Sequence, residues 1–473
     1  MPSFTALPTE IILAIAELLG PADIKGVLCS LPSRGLKANV QKGLSCMNRR
    51  LRNAVTHILF RTLSIAMPLV SNLLLEYMLE KYKKFISRIH LHVFLRPNLE
   101  EDDDNIVMPS IGGTMKSNTL LDLVNGKIFS HIDSFSIHFD PCQFDITGRW
   151  YGNDGDWGGG HGSGSITVFE DEEDEDACFE LEEEHVWRAQ YFQLLAEIMQ
   201  NPNIKKLRFI NLLPRRTKVF DTLQWEKFLG QLTHFDLGIF GAECDDWKGN
   251  AMPGFTQFVG EFLPQDIMKY LVNVKHLRLE ASEMSVLGAG LYGEHYYAHD
   301  VFPLSGQIPT LQSLELKNIT LGARLLGCLR KQANLRELTL HNCMCISPAE
   351  PEEEDEDIWS DPANADVVAM GVDWSEIWQT IILWNKAMRQ VTYLQDGQPP
   401  LRDVDIPLPK GTIVWRYVMI DKHWGNVVED EEANTAEYHC GCASDMHSNL
   451  MKALIQRRKN EASSPKAEAT ETK

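Results

Sequence analysis

Seven short segments with one shared apolar pattern recur along the middle of the chain, and they constrain its fold more than any other feature. In each segment apolar side chains alternate with polar ones, which is typical of a β-strand with one buried face. Several segments follow a stretch with helical spacing, such as residues 191–203 before the third and 323–334 before the seventh. The segments are 86–93, 132–139, 204–212, 232–240, 274–282, 311–321 and 335–343.

The unit of apolar helix, turn and Leu-x-x-Leu-x-Leu strand resembles leucine-rich repeats, whose strands line one face of a curved solenoid. Residues 334–343 match that pattern best. The intervals between the segments are unequal, so the repeat is degenerate and carries insertions. An α/β domain of alternating helices and strands has the same local signal and stays open as the alternative. We predict an α/β chain with an irregular leucine-rich-repeat-like solenoid.

The N-terminus contains two amphipathic stretches, at residues 7–19 and 44–65, which indicate helices. Pro8 suits a first helical position, and Glu10 lies in the first turn, where the helix dipole favours negative charge. Gly20 provides a helix stop. Two short helices cannot bury their apolar faces on each other completely, so a partner surface is expected to cover the remainder.

The Leu-Pro-x-Glu-Ile opening at residues 7–11, Asp-Ile at 23–24 and Leu-Phe-Arg-Thr-Leu at 59–63 resemble the F-box as it begins many fungal proteins. The resemblance implies binding to a Skp-type linker subunit and, through it, to a cullin, while the rest of the chain selects a substrate for ubiquitination. Residues 30–43 exceed the usual length of the module, through a looped insertion or an error in the gene model. The linker-binding residues implied by the resemblance are Leu7, Pro8, Ile11, Ile15, Leu18, Leu19, Asp23, Ile24 and Leu51.

Composition shifts divide the chain further. The predicted organisation is an F-box at 1–65, a degenerate repeat region at 66–349, an acidic linker at 350–365, a tryptophan-rich C-terminal region or cap at 366–452 and a disordered tail at 453–473. Within the repeat region, residues 99–113 and 148–184 are predicted to be disordered acidic insertions.

The formal net charge of −21 comes largely from acidic runs at 100–104, 170–176, 180–184, 350–357 and 429–432. Runs of like charge repel one another and stay solvated, so we interpret them as disordered loops. A contact between these runs and a basic substrate or regulator is the alternative.

An intracellular protein, cytoplasmic or nuclear, is the expectation. The N-terminus does not have a secretory layout, and no apolar run reaches the length of a membrane span. The ten cysteines have irregular spacings, which indicates reduced and mostly buried thiols. Neither a nucleic-acid nor a membrane partner is expected.

The sequence offers one candidate for chemistry, a cluster of cysteine and histidine side chains that could begin a zinc site. Buried or unpaired cysteines explain the cluster better, so we predict no metal, no cofactor and no catalytic residue. The cluster consists of His439, Cys440, Cys442 and His447, with Cys343 and Cys345 as further candidates.

These observations predict a non-catalytic adaptor of a Skp/cullin/F-box ubiquitin ligase. A repeat scaffold, or a linker-bound protein that acts outside the ligase, is the alternative. The sequence does not name the substrate. Six basic residues at or beside the strands form either a recognition patch or ordinary solvent-facing positions: Lys206, Arg208, Lys275, His276, Arg278 and Arg336.

Overall fold

The chain divides into two compact units, which we call the N-terminal unit (residues 1–167, 172–213 and 217–232) and the C-terminal unit (residues 168–171, 214–216 and 233–473). The structure is a computed structural model. The residues that it describes are 56, 60–67, 72–95, 119–141, 182, 186–241, 243–244, 247–248, 253–283, 285–288, 290–292, 295–297, 308–347, 371–402, 412–420 and 426–463.

The N-terminal unit contains four parallel strands that pair in chain order. They are β1 (Thr62–Met67), β2 (Arg88–Val93), β3 (Ser134–Phe139) and β4 (Lys206–Leu212). Leu63, Ile89, Phe135 and Leu207 share one register position, and all four are buried. Because side chains alternate between the two faces of a strand, the polar residues between these positions form an open face.

Helices between these strands and after β4 cover the buried face. They are α1 (Asn72–Tyr82), α2 (Thr119–Val124), α3 (Val186–Ile198) and α4 (Leu223–Gly230), with 3-10 turns at Lys83–Phe85 and Lys218–Asp221. The ring of Tyr191 in α3 lies edge-on to Phe139 of β3, with ring centroids 5.4 Å apart. Thr222 fixes the start of α4, since its side chain accepts a hydrogen bond from the backbone N–H of Trp225 at 3.2 Å.

The C-terminal unit has thirteen strands among its described residues. They are β5 (His234–Ile239), β6 (Glu243–Cys244), β7 (Trp247–Lys248), β8 (His276–Glu280), β9 (Gly290–Tyr292), β10 (His295–Tyr297), β11 (Ser313–Lys317), β12 (Thr320–Leu321), β13 (Glu337–His341), β14 (Met344–Ile346), β15 (Gln390–Leu394), β16 (Tyr417–Ile420) and β17 (Val427–Glu429).

Five of these strands, β5, β8, β11, β13 and β15, are parallel and pair in that order. A smaller sheet has the order β12, β14, β16 and β17, with only the last pair antiparallel. The pairs β6–β7 and β9–β10 are antiparallel. The larger set of strands presents an apolar face and a polar face, as in the N-terminal unit.

Asparagine residues turn the chain at the ends of three strands. Asn211, Asn318 and Asn342 adopt positive φ values of 56°, 55° and 49°, a left-handed conformation that asparagine tolerates better than most residues. The side chain of Asn318 also donates to the carbonyl of Ala281 at 2.7 Å, which ties this turn to the end of β8. These turns direct the chain away from the carboxyl end of each strand.

The helices of the C-terminal unit enclose a core rich in tryptophan. They are α5 (Pro253–Gln257), α6 (Ala323–Lys331), α7 (Trp374–Trp384), α8 (Glu431–Cys440) and α9 (Cys442–Ser463), with a π-helix at Phe258–Ile267 and a 3-10 turn at Met268–Tyr270. Trp374 and Trp378 of α7 are fully buried and stack with ring centroids 5.3 Å apart. Arg457 of α9 donates to the carbonyls of Ile382 and Asn385, which joins α9 to the end of α7.

Two acidic runs extend into regular structure, which differs from the solvated loops predicted for them. Glu429 lies in β17, and Asp430 caps α8 by accepting a hydrogen bond from the N–H of Ala433 at 2.8 Å. Glu431 and Glu432 occupy the first turn of α8, where the helix dipole stabilises negative charge. Glu182 is buried in the N-terminal unit and accepts a hydrogen bond from the N–H of Lys218. Acidic residues in sequence runs can therefore serve as helix caps as well as solvated loops.

The predicted fold class, F-box helices followed by an irregular leucine-rich-repeat-like solenoid, is wrong. The described residues form an α/β arrangement of nine parallel strands, four in one unit and five in the other, interleaved with helices. The Leu-x-x-Leu-x-Leu pattern indicates only that a strand buries one face beneath a helix. A leucine-rich-repeat solenoid and an α/β sheet both contain such strands, so the pattern does not distinguish them. The alternative of an α/β chain is the one that agrees with the structure.

The predicted boundaries at both ends also differ from the structure. The region assigned to the F-box extends to residue 65, yet β1 already begins at Thr62 and pairs with β2. At the other end α9 continues to Ser463, past the predicted start of the tail at residue 453. Within the part of the chain that the structure describes, no helix has both the length and the apolar character needed to cross a bilayer.

Candidate functional site

The nine residues predicted to bind a linker subunit lie outside the described residues. They are Leu7, Pro8, Ile11, Ile15, Leu18, Leu19, Asp23, Ile24 and Leu51. The end of the motif is described, however, and it runs directly into the N-terminal unit. Phe60 stacks on Tyr82 of α1 with ring centroids 3.6 Å apart and an interplanar angle of 8°. Arg61 accepts hydrogen bonds at its carbonyl from the N–H groups of Ser87 and Arg88.

Five charged side chains lie side by side on the open face of the C-terminal unit, and we call them the charge ladder: Asp236, Arg278, Glu280, Glu315 and Lys317. Asp236, Arg278 and Glu315 are in register on β5, β8 and β11. Nη1 of Arg278 lies 3.1 Å from Oδ1 of Asp236 and 2.7 Å from Oε2 of Glu280, while its Nε donates to Oε1 of Glu315 at 2.8 Å. Nζ of Lys317 lies 3.0 Å from Oε1 of Glu280. Three carboxylates share two cations, so the ladder is slightly acidic.

The charge ladder shifts the pKa values of Arg278 and Glu280 toward their charged forms. Burial opposes the charge on Arg278, but the hydrogen bond to Glu315 and the charges of Asp236 and Glu280 outweigh it and raise the pKa of Arg278. Burial likewise opposes the charge on Glu280, whereas Lys317 and Arg278 together lower the pKa of this carboxyl below its ordinary value. Arg278 and Glu280 therefore stay ionised near neutral pH, which favours the ion pairs within the ladder.

Replacing Glu280 by glutamine is expected to lower the free energy of unfolding by about 1 kcal/mol near neutral pH, because Lys317 and Arg278 lose a shared carboxylate. The folded state holds the pKa of Glu280 below its value in the unfolded chain, so the unfolded chain binds protons more readily as the pH falls. The stabilisation is therefore complete above the ordinary pKa of 4.5. It is lost as the pH falls through the lower pKa that Glu280 has in the folded state.

Urea denaturation of both proteins across this pH range measures the effect. Glu337→Gln, at an exposed carboxyl on β13, is the control and should show almost no difference. A difference between the parent and Glu280→Gln that stays constant into acid would contradict the coupling.

The open face of the N-terminal unit has histidines where the other unit has its charge ladder. His92 and His138 are in register on β2 and β3, and their rings stack with centroids 4.8 Å apart. Nε2 of His92 lies 2.9 Å from Oδ2 of Asp140. Nδ1 of His90 lies 3.1 Å from the hydroxyl of Ser136. The two open faces consequently offer different chemistry to a partner.

The six basic residues that were considered as one recognition patch belong to both units of the chain. Lys206 and Arg208 belong to β4 of the N-terminal unit, and the other four belong to the C-terminal unit. Arg278 is surrounded by the three carboxylates of the charge ladder, so it contributes no net positive charge to a surface. Lys275, His276 and Arg336 are exposed. A recognition patch and ordinary solvent-facing positions both require exposure, so the choice between them for these three residues stays a prediction.

A pocket that sequence reasoning missed lies beyond the carboxyl ends of the strands in the C-terminal unit, with a volume of about 380 Å³. Such a position is a common place for ligands in α/β structures. Glu283, Asn318, Asn342 and Asp396 follow β8, β11, β13 and β15 respectively, and the smaller sheet supplies the opposite wall. The lining residues are Glu283, Val286, Asn318, Asn342, Met344, Asp396, Gly397, Arg416, Val418, Val427, Val428 and Glu429.

Asp396 is held in place at the edge of this pocket. Its Oδ1 lies 2.9 Å from Nε2 of His341, its Oδ2 accepts from Nδ2 of Asn342 at 2.8 Å, and its own N–H donates to Oδ1 of Asn342 at 2.7 Å. The hydrogen bond to His341 is the main reason that the pKa of Asp396 lies below its ordinary value. On the opposite wall Nε of Arg416 lies 3.0 Å from Oε1 of Glu429. Asn342, near the end of the seventh segment, was the sequence signal that could have indicated the edge of the pocket at Asp396.

The cysteine and histidine cluster does not have the arrangement of a zinc site. Cys440 and Cys442 form a disulfide, so the prediction of reduced thiols is wrong for this pair. His447 packs against the rings of Trp378 and Trp415, and its burial lowers its pKa. Across the described ranges no group of three or more metal-ligating side chains is close enough to hold a metal ion.

The remaining candidate thiols, Cys343 and Cys345, are fully buried. Burial raises the pKa of Cys343 to about 12 and raises that of Cys345 well above its ordinary value. Both therefore stay protonated near neutral pH, and a protonated thiol is neither a good metal ligand nor a nucleophile. Their environment is that of core residues.

Comparison with known proteins does not assign the chain to a family: no protein-family model matches it, and no curated protein does.

Proposed function

We propose that this protein is a substrate-recognition adaptor of a Skp/cullin/F-box ubiquitin ligase. The observation that carries the proposal is the N-terminal motif, which opens with Leu-Pro-x-Glu-Ile at residues 7–11 and ends with Leu-Phe-Arg-Thr-Leu at 59–63. Its apolar side chains would dock the linker subunit, and the linker would connect the chain to a cullin.

The way the motif joins the N-terminal unit supports this role. Thr62 and Leu63, its last two residues, already belong to β1, and Phe60 is stacked on α1. A docking module that enters a packed strand without a spacer holds its substrate-binding part at a fixed distance. Tethering gives the highest effective concentration of substrate near the ubiquitin-carrying enzyme when the length of the connection matches the distance to be spanned.

The protein itself would perform no chemical step. Its contribution is proximity, since it brings lysine side chains of a bound protein within reach of a thioester that another subunit carries. The two open faces and the pocket of the C-terminal unit are the surfaces available for a substrate among the described residues.

An affinity purification of the tagged full-length protein, with mass spectrometry of the co-purified proteins, tests the proposal. The parent is expected to recover a Skp-type linker and a cullin, and a Leu7→Ala/Pro8→Ala variant is expected to recover neither. Glu17→Ala is the matched control, because it changes the same stretch outside the predicted linker-binding residues and should behave like the parent. Circular dichroism of all three checks that the fold is retained.

Two outcomes would overturn the proposal. Recovery of neither protein by the folded parent would favour a free-standing interaction scaffold. Recovery of the linker without a cullin would favour a linker-bound protein that acts outside the ligase.

A further inference from the structure

We infer that the pocket of the C-terminal unit is a binding site for a cationic side chain, lysine or arginine, presented by a protein segment. The inference does not depend on the ligase, because it rests on the volume, charge and apolar floor of this pocket alone.

The lining of the pocket carries more acidic than basic side chains. Glu283, Asp396 and Glu429 contribute three carboxylates, whereas Arg416 is the one basic residue among the lining side chains. Arg416 already lies against Glu429 at 3.0 Å, so this pair is close to neutral. Glu283 and Asp396 then give the pocket a negative charge, which favours a cation over an anion.

The carboxylate of Asp396 is held in a fixed position at the edge of the pocket. Hydrogen bonds to His341 and Asn342 fix its carboxylate in one orientation, while the carboxylate remains more than half exposed. A fixed, ionised carboxylate is a better partner for a cation than a mobile one, because binding does not have to order it. Glu283 is exposed at the same pocket and supplies a second carboxylate.

The floor of the pocket is apolar. Val286, Met344, Val418 and Val427 form an apolar cluster, each side chain at most 7% exposed. Lysine and arginine have long aliphatic stems that bury along apolar surface while the charged end stays near polar groups. An apolar floor beneath an acidic edge fits that combination, whereas a metal ion would need several oxygen ligands instead.

The pocket is also large enough for such a side chain. Its volume of about 380 Å³ lies in the range typical of ligand pockets. Gly397 lies at its edge, and a Cβ added to this glycine would meet nothing within 4 Å. A side chain at position 397 would therefore begin in open space beside the pocket lining, without displacing a neighbour.

Isothermal titration calorimetry of the full-length protein with capped Gly-Arg-Gly, Gly-Lys-Gly and Gly-Gln-Gly tripeptides tests the inference. The two cationic peptides are expected to bind, the glutamine peptide to bind at least about tenfold more weakly, and added salt to weaken the cationic peptides. A preference between the two cationic peptides would identify which side chain fits the pocket.

Three variants separate charge from shape. Asp396→Asn with Glu283→Gln removes the negative charge and should weaken the cationic peptides by about tenfold or more. Gly397→Leu should obstruct the pocket and reduce binding of every peptide. Glu337→Gln, an exposed carboxyl on β13 outside the pocket lining, should bind like the parent.

Circular dichroism and thermal unfolding of each variant confirm that the fold is intact before titration. Equal binding of the glutamine peptide, an unchanged affinity in the folded double variant, or no binding of either cationic peptide to the parent would each overturn the inference. None of these outcomes bears on whether a linker and cullin co-purify.

Discussion

Replacing Trp378 by alanine is expected to lower the free energy of unfolding of the C-terminal unit by about 3–5 kcal/mol. Trp378 is fully buried, and its ring lies within 5.3 Å of the rings of Trp374 and Trp415. Removing the indole leaves a cavity lined by large aromatic rings, which cannot collapse to fill it without repacking. Guanidinium denaturation followed by circular dichroism measures the change.

Trp384→Ala is the matched control for this prediction, because it is the same substitution on the same helix. Trp384 is 58% exposed, so little apolar surface is lost and the free energy of unfolding should change by less than about 1 kcal/mol. A similar loss in both variants would show that the aromatic cluster does not act as the core of this unit.

Replacing Gly288 by alanine is expected to destabilise the C-terminal unit by about 3 kcal/mol or more. Gly288 has a φ of +107°, which side chains with a Cβ rarely adopt, and that strain alone costs about 1–3 kcal/mol. A Cβ at this position would lie 2.5 Å from the backbone carbonyl oxygen of Thr320. Thr320 donates its N–H to the carbonyl of Leu287 at 2.7 Å, so the two segments cannot separate without losing that hydrogen bond.

Gly327→Ala provides a control of opposite sign in the same unit. Gly327 lies inside α6, and an added Cβ would meet nothing within 4 Å. Alanine is a better helix former than glycine by about 1 kcal/mol, so this variant should be slightly more stable than the parent. The two thermal midpoints should therefore move in opposite directions; a shift of both in the same direction would contradict the assigned backbone conformations.

The local elements of this fold followed from the sequence. All seven alternating segments form strands, because one buried face and one solvated face require a period of two. These strands are β2, β3, β4, β5, β8, β11 and β13. Two strands of the parallel sets were not predicted as strands: Thr62–Met67, assigned to an N-terminal helix, and Gln390–Leu394.

The fold class did not follow from the same pattern. A helix followed by a strand with one buried face is the unit of both a repeat solenoid and an α/β sheet. The local sequence pattern therefore could not distinguish the two folds. The acidic run at 429–432 shows a related limit. Composition indicated a solvated loop, but Asp430 hydrogen-bonds the start of α8 and the neighbouring glutamates complement its dipole.

The pocket could not have been assembled from the sequence, since its lining comes from segments more than one hundred residues apart in the chain. Glu283, Asp396 and Arg416 each read as ordinary polar residues in their own surroundings. Only the register of the parallel strands brings the ends of β8, β11, β13 and β15 to one edge, and the smaller sheet then closes the other side.

The sequence by itself determined the strand and helix periods, the acidic bias and the N-terminal motif on which the proposed function rests, because these depend on neighbours within a few residues. The tertiary structure alone decided the α/β arrangement, the pairing of charges in the ladder and the acidic pocket above an apolar floor. Those features depend on distances between residues remote in the chain, and such distances are set by strand register and side-chain packing.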